Sequence, residues 1–163
     1  MALRFEYAFP AGVDEVHAVL TDPGFLREYA DATHSRDVEV DAAPDGSSTS
    51  VRRVMPTDAV PSFAKPFLGD EVPVEETVAW RPSDGDGSRY GDLAVDASAA
   101  SRQARLRGTM RLLPEGPGCR LVAEGDVSVK VPLVGGKLAP LVEQLLQSAV
   151  RKQCELADRR LGA

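Results

Sequence analysis

Histidine and cysteine are scarce in this chain, two of each among 163 residues, and aromatic side chains make up only 6% of it. So few imidazoles and thiols leave little from which to build a metal site. Cys119 and Cys154 are widely separated and form no CxxC, which removes the usual zinc and thioredoxin-type patterns. Two buried, reduced thiols are the simpler reading. Positive charge is not in excess either: the formal net charge is -6 and the pI is near 5.0. The basic footprint that displaces counterions from nucleic acid is therefore missing. No segment approaches the roughly 18 consecutive apolar residues of a membrane-spanning helix. The opening MALRFEYAFPAG lacks the charged and apolar regions of a secretion signal, so a cytoplasmic protein without stable membrane insertion is expected. GxSxG, HExxH and acid pairs of interpretable spacing are also absent. No linker or repeat divides the chain, and a single domain over residues 1–163 is expected.

What is present is regular alternation. LRFEYAF places Leu3, Phe5, Tyr7 and Phe9 on one face, the period of a half-buried strand. After Pro10 and Gly12 the spacing turns helical, with Val13, Val16, His17 and Leu20 on one side. TDPGF breaks the chain before a second short helix carrying Phe25, Leu26 and Tyr29. RDVEVDA and TSVRRVMP read as strands around the hairpin turn PDGSS. VPSFAKPFLG, too rich in proline for a strand, predicts one or two helical turns. VPVEETVAW then puts Val72, Val74, Val78 and Trp80 on one face, and RYGDLAVDA is a weaker strand.

The next pair carries a register. Ala104, Leu106, Gly108, Met110 and Leu112 form one apolar set, and Leu121, Ala123, Gly125, Val127, Val129 and Val131 form the other, joined by PEGPG. Bringing both sets to one face puts Arg107 opposite Glu124 or Asp126 and gives the outward arginines acidic partners. The chain ends in an amphipathic helix of roughly twenty residues, its apolar arc running through Leu138, Leu141, Val142, Leu145, Leu146, Ala149 and Leu156. VGGKLA before it is no phosphate loop: position 132 is Pro, Leu138 follows Lys137, and the sheet reads as antiparallel. Gly135 and Gly136 are expected to form the tight turn into the helix, with Pro140 in its first turn.

One strand, two helices, six strands with a short helical interruption, and a long helix predict an α+β fold, an antiparallel sheet of about seven strands. Such a sheet curls, and the economical arrangement wraps it around the long helix. This order, the early DPGF and the helix opening VPLVGGKL resemble the START-like superfamily, which includes birch-pollen-allergen-like proteins, lipid-transfer START domains and polyketide cyclases. VPSFAKPFLG, the Trp80 strand and VPLVGGKL further resemble a branch common in actinobacteria and known as a domain of unknown function. The resemblance spans nearly the whole chain. It implies a helix-grip fold with a cavity between sheet and helix, and it carries over no catalytic residue and no cofactor.

The residues expected to line that cavity are Phe5, Tyr7, Phe63, Phe67, Trp80, Tyr90, Leu106, Gly108, Met110, Ala123, Gly125 and Val127, with Leu138, Leu141, Val142 and Leu145 on the helix. The small residues of the paired strands either leave volume for a ligand or mark a bend in the sheet. The aromatics either ring a cavity or fill a core. Ser62, Tyr90, Arg53 and Glu76 are candidates for orienting a ligand's polar end, although the faces of Arg53 and Glu76 are ambiguous. His17 reads as packed and His34 as lying near a helix end. Three functions stay open: carriage of a small hydrophobic molecule such as a lipid, polyketide or isoprenoid; a cyclase- or dehydratase-like enzyme in the same cavity; and an interaction module with a filled core. Oligomeric state is not legible.

Overall fold

The structure is a computed structural model that describes residues 2–58, 60–99 and 102–162. Its elements are β1 (Ala2–Phe9), α1 (Val13–Leu20), α2 (Pro23–Ala32), β2 (Arg36–Ala42), β3 (Ser48–Pro56), α3 (Lys65–Leu68), β4 (Glu71–Trp80), β5 (Arg89–Ala99), β6 (Arg102–Glu115), β7 (Gly118–Lys130) and α4 (Gly135–Gly162). The strands make one curved, open, seven-stranded antiparallel sheet in the order β1-β7-β6-β5-β4-β3-β2. This is the α+β architecture expected from the sequence, with two short helices after the first strand and a long one at the end.

Local chemistry accounts for the short helices. Asp22 accepts a hydrogen bond from the Phe25 backbone N–H at 3.0 Å, and Pro23 occupies the first turn of α2, where its missing donor costs nothing. Val13, Val16, His17 and Leu20 of α1 and Phe25, Leu26, Tyr29 and Ala30 of α2 are buried. They join the main core formed by the inner face of the sheet.

The β6–β7 register is one of the two that the alternation allows: Arg107 faces Asp126, and Gly108 faces Gly125. Arg107 nevertheless pairs with Asp96 of β5, at 2.9 and 3.0 Å, instead of with the residue opposite. The connecting loop is shorter than PEGPG suggested, because pairing continues to Glu115 and Gly118 and leaves a two-residue turn, Gly116 and Pro117. Half-exposed pairs of this kind contribute little to stability, about 0–1 kcal/mol each.

α4 is longer than the sequence reading, at 28 residues. Its last turns bury Cys154, Leu156 and Ala157, and Arg159 and Arg160 sit where the helix dipole favours positive charge. Its beginning is corrected too. The turn out of β7 is made by residues 132–134, with Leu133 at a φ of 71°, and Gly135 and Gly136 already belong to the helix. Pro140 therefore lies inside α4 and not in its first turn. A leucine in the left-handed region costs roughly 1–2 kcal/mol, and this one is fully exposed.

Candidate functional site

α4 packs most closely on β7 and β1 and on α1 and α2. Its buried residues are Leu138 at one end and Cys154, Leu156 and Ala157 at the other. Between them Leu141, Val142, Leu145, Leu146, Ala149 and Val150 are only partly covered. The apolar face of the helix thus stands off the sheet over its middle, and a cleft runs beneath it.

The central part of this cleft is walled by Met55, Val72, Val74, Val95, Ala97 and Ala104 from the sheet and by Leu138, Leu141, Val142, Leu145, Leu146 and Ala149 from α4. Its cavity volume is about 100 Å³. One arm extends past Phe67, Leu68 and Val131 toward α3, and another past Tyr29, Leu106 and Met110 toward α2. Small molecules are generally held in spaces of about 300–1,000 Å³ with mostly apolar walls and a few polar groups; the cleft has walls of that kind and a smaller volume.

The polar group in this wall is an ion pair. Arg53 lies on β3 between Val51 and Met55, and its side chain is 3% exposed; the partner, Glu76 of β4, is 17% exposed, with 2.7 Å between Arg53 Nη2 and Glu76 Oε1. Both border the central cleft. The Tyr29 hydroxyl donates to the same carboxylate oxygen at 3.1 Å. Arg53 Nη1 donates to the hydroxyls of Thr33 and Ser35 at 3.2 and 3.1 Å. Arg53 Nε is buried with no hydrogen-bond partner. Burial is the largest single influence and works against the guanidinium charge, but the charges and hydrogen bonds of Glu76 and Tyr29 together outweigh it and hold the Arg53 pKa above the ordinary value. Burial, and then Glu76, push the Tyr29 phenol far up, so it remains a hydrogen-bond donor. The cluster can fix the polar end of a bound molecule.

The structure distributes the expected lining residues unevenly. Leu138, Leu141, Val142 and Leu145 border the central cleft, Phe67 the α3 arm, and Leu106 and Met110 the α2 arm. Phe5 is buried beneath Arg151, whose guanidinium lies 5.5 Å from its ring centre. Tyr7 donates to Asp158 at 2.8 Å. Burial, followed by that carboxylate, raises the Tyr7 pKa to about 12. Ala123 and Val127 are packed in the core. Tyr90 pairs with Arg111 in the register that sets Gly91 opposite Met110, which puts it on the outer face, away from the cleft. Phe63 and Ser62 are exposed. Gly108 and Gly125 open no room: a Cβ on Gly108 would lie 2.0 Å from the Glu124 carbonyl oxygen, and one on Gly125 would lie 2.5 Å from that of Arg107. The two strands approach there more closely than side chains permit.

His17 is buried as a packed residue. Its Nε2–H donates to the Gly46 carbonyl at 3.0 Å, and its ring meets Trp80 edge-on at 5.2 Å. Burial first, and Arg89 second, hold its pKa below the ordinary value, against the opposing pull of the Gly46 carbonyl and Asp14. The unfolded chain titrates near 6.5. As pH falls through about that value the unfolded state gains a proton that the folded state resists, so the contribution present above it is lost. Urea midpoints measured from about pH 7 down to about 5.5 should fall in the parent protein. They should fall less in His17→Gln, which keeps a donor for Gly46. Equal slopes would contradict this account.

The matches to known structures agree with this geometry. A Thermus thermophilus protein, TTHA0849, aligns at 25% identity and a TM-score of 0.66 over 98% of this chain and 96% of its own. A STAR-related lipid transfer protein from Xanthomonas axonopodis aligns at 16% identity and a TM-score of 0.62, over 98% and 85%. The Zhui aromatase/cyclase of a Streptomyces species aligns at 18% identity and a TM-score of 0.55, over 98% and 89%. No curated protein matches the sequence. Neighbours of this kind identify the architecture as the START-like helix-grip fold. The sequence profile of one family matches residues 4–161, nearly the whole chain, and the protein therefore belongs to the family described as protein of unknown function DUF2505.

Proposed function

We propose that the cleft beneath α4 binds and carries a small hydrophobic ligand of lipid, polyketide or isoprenoid type, as the task of a single cytoplasmic domain. The observation that carries this reading is the middle of α4, where six apolar side chains from Leu141 to Val150 remain partly uncovered over an apolar cleft. Burial of apolar ligand surface at roughly 25 cal/mol per Å² drives binding, and the Arg53–Glu76 pair orients the polar end. The lipid-transfer and cyclase names of the structural neighbours support a ligand of this class. A cyclase-like enzyme is the second reading, favoured by the polar cluster on the cleft wall. It would act through Glu76 and Tyr29, since His17 is committed to Gly46 and Tyr90 lies on the outer face.

Native mass spectrometry of the purified protein, followed by a thermal-shift screen of fatty acids, isoprenoids and aromatic polyketides, tests the reading. A ligand at a hundred times its dissociation constant should stabilise by about 2.7 kcal/mol. Ala149→Phe, which projects into the cleft at the junction of its centre and α2 arm, should abolish that shift while leaving the unliganded melting temperature within a few degrees. Absence of any carried molecule and any shift would count against carriage. Turnover of a polyketide lost in Glu76→Gln would instead establish the enzyme.

A further inference from the structure

Two large apolar side chains are exposed among the described residues, Phe63 at 59% and Leu133 at 103%. They are distant in sequence but project from segments that share one small core. Val60 and Ala64 pack on Leu138, with Val131 and Val134 around them. Both therefore stand at the end of the molecule where the α3 arm of the cleft lies, lined there by Phe67 and Val131. The backbone holds Leu133 outward in a left-handed turn, at a φ of 71°.

The charge around them runs against that of the whole chain. Lys65, Lys130 and Lys137, three of the four lysines in the sequence, flank these two segments and are exposed. Among the described residues, all side-chain ion pairs are made by arginine. These lysines are therefore not neutralised internally. Asp58 and Asp70 are the exposed acids closest to the loop in sequence, and Glu71 is held by Arg36. A chain of net charge -6 thus carries, on the segments that hold its two apolar tips, three exposed lysines with no ion pair among the described residues, against the two exposed acids Asp58 and Asp70. Tips of this kind favour the boundary between headgroups and acyl chains, and lysines favour an anionic surface.

We propose that this end of the molecule docks reversibly on an anionic lipid bilayer, with Phe63 and Leu133 entering the headgroup boundary and Lys65, Lys130 and Lys137 facing the lipid charge. The surface adjoins the α3 arm of the cleft through Phe67 and Val131, so docking would bring that arm close to the membrane. The inference goes beyond ligand carriage and does not depend on it.

Flotation with vesicles of phosphatidylcholine alone, or of phosphatidylcholine with phosphatidylserine, tests docking. The parent protein should float with the phosphatidylserine vesicles and be released by raised salt. Phe63→Ser with Leu133→Asn should weaken the association roughly tenfold or more; asparagine tolerates the left-handed backbone at position 133. Lys65→Glu with Lys137→Glu should weaken it by roughly fivefold or more per lysine while keeping both apolar tips. Thermal melts establish that each variant is folded, and binding of a soluble apolar fluorophore by the Phe63/Leu133 variant, unchanged from the parent, separates docking from carriage. Failure of the parent protein to float with either vesicle overturns the proposal, as does undiminished flotation of the Phe63/Leu133 variant. A dimer of the parent protein that this variant converts to monomer overturns it too, since the patch then covers a second copy of the chain.

Discussion

Glu76→Ala should lower the unfolding free energy by about 3–5 kcal/mol, the cost of leaving a buried charge without its partner. For a chain of this length that corresponds to a fall in melting temperature on the order of 10 °C. The size follows from the surroundings of Arg53. Its side chain is 3% exposed and its Nε already lacks a partner, so the guanidinium has little contact with solvent to offset loss of the carboxylate. The Tyr29 hydroxyl would lose its acceptor in the same step. Replacing both members, Arg53→Met with Glu76→Leu, should recover most or all of the loss, because two apolar side chains of similar volume carry no desolvation penalty. Urea denaturation of the single and double variants makes the comparison. A loss below about 1 kcal/mol for Glu76→Ala would show that the pair is solvated as surface pairs are. The stable double variant also separates roles: it should bind a purely hydrocarbon ligand as the parent does and lose preference for one with a polar end.

The second large effect is at Gly108. A valine there directs its Cβ to a point 2.0 Å from the Glu124 carbonyl oxygen and 2.5 Å from the Gly125 Cα. Both are backbone atoms and cannot rotate away, so β6 and β7 must separate. The expected cost is about 3 kcal/mol or more, at the upper end of overpacking, and the protein should express poorly or melt early. Gly136 is the control. A Cβ there meets nothing within 4 Å, and Gly136→Ala should be neutral or stabilise by up to about 1 kcal/mol, since alanine favours the helix. A well-tolerated Gly108→Val would mean that the strands are not held together as described.

Gly108 also shows where sequence reasoning stops. Alternation puts it on the inner face of β6, beside Ala123 or Gly125 of β7, and the observed register selects Gly125. Alternation could not say whether a missing side chain leaves space or lets two backbones meet, because that depends on strand separation. Glu76 was more legible. Val72, Val74, Val78 and Trp80 share a face, and the period of two puts Glu76 on it as well; an acid within such a row calls for a buried partner. Arg53 follows from Val51 in the same way. Their faces are ambiguous in the sequence because it supplies no pairing of β3 with β4; the register does, with Arg53 opposite Val74 and Val51 opposite Glu76. Tyr90 was assigned by its chemistry rather than by its parity, and parity puts it outside. The apolar arc from Leu138 to Leu156 is shorter than α4 because the helix begins at Gly135, ahead of its first large apolar residue, and runs on past Leu156 through Asp158, Arg159 and Arg160.

The sheet order sets a condition on how the chain reaches its native state. β2 to β7 each lie beside the next strand in sequence, and can form as successive hairpins. Among the described residues β1 has β7 as its only strand neighbour, and contacts between them, such as Arg4 with Glu124, close a separation of 120 residues. The inner face of β1, with Leu3, Phe5 and Phe9, therefore has no strand to pair with until β7 is in place. Long-range closure of this kind slows folding, and the main core, to which those three residues belong, is incomplete without it.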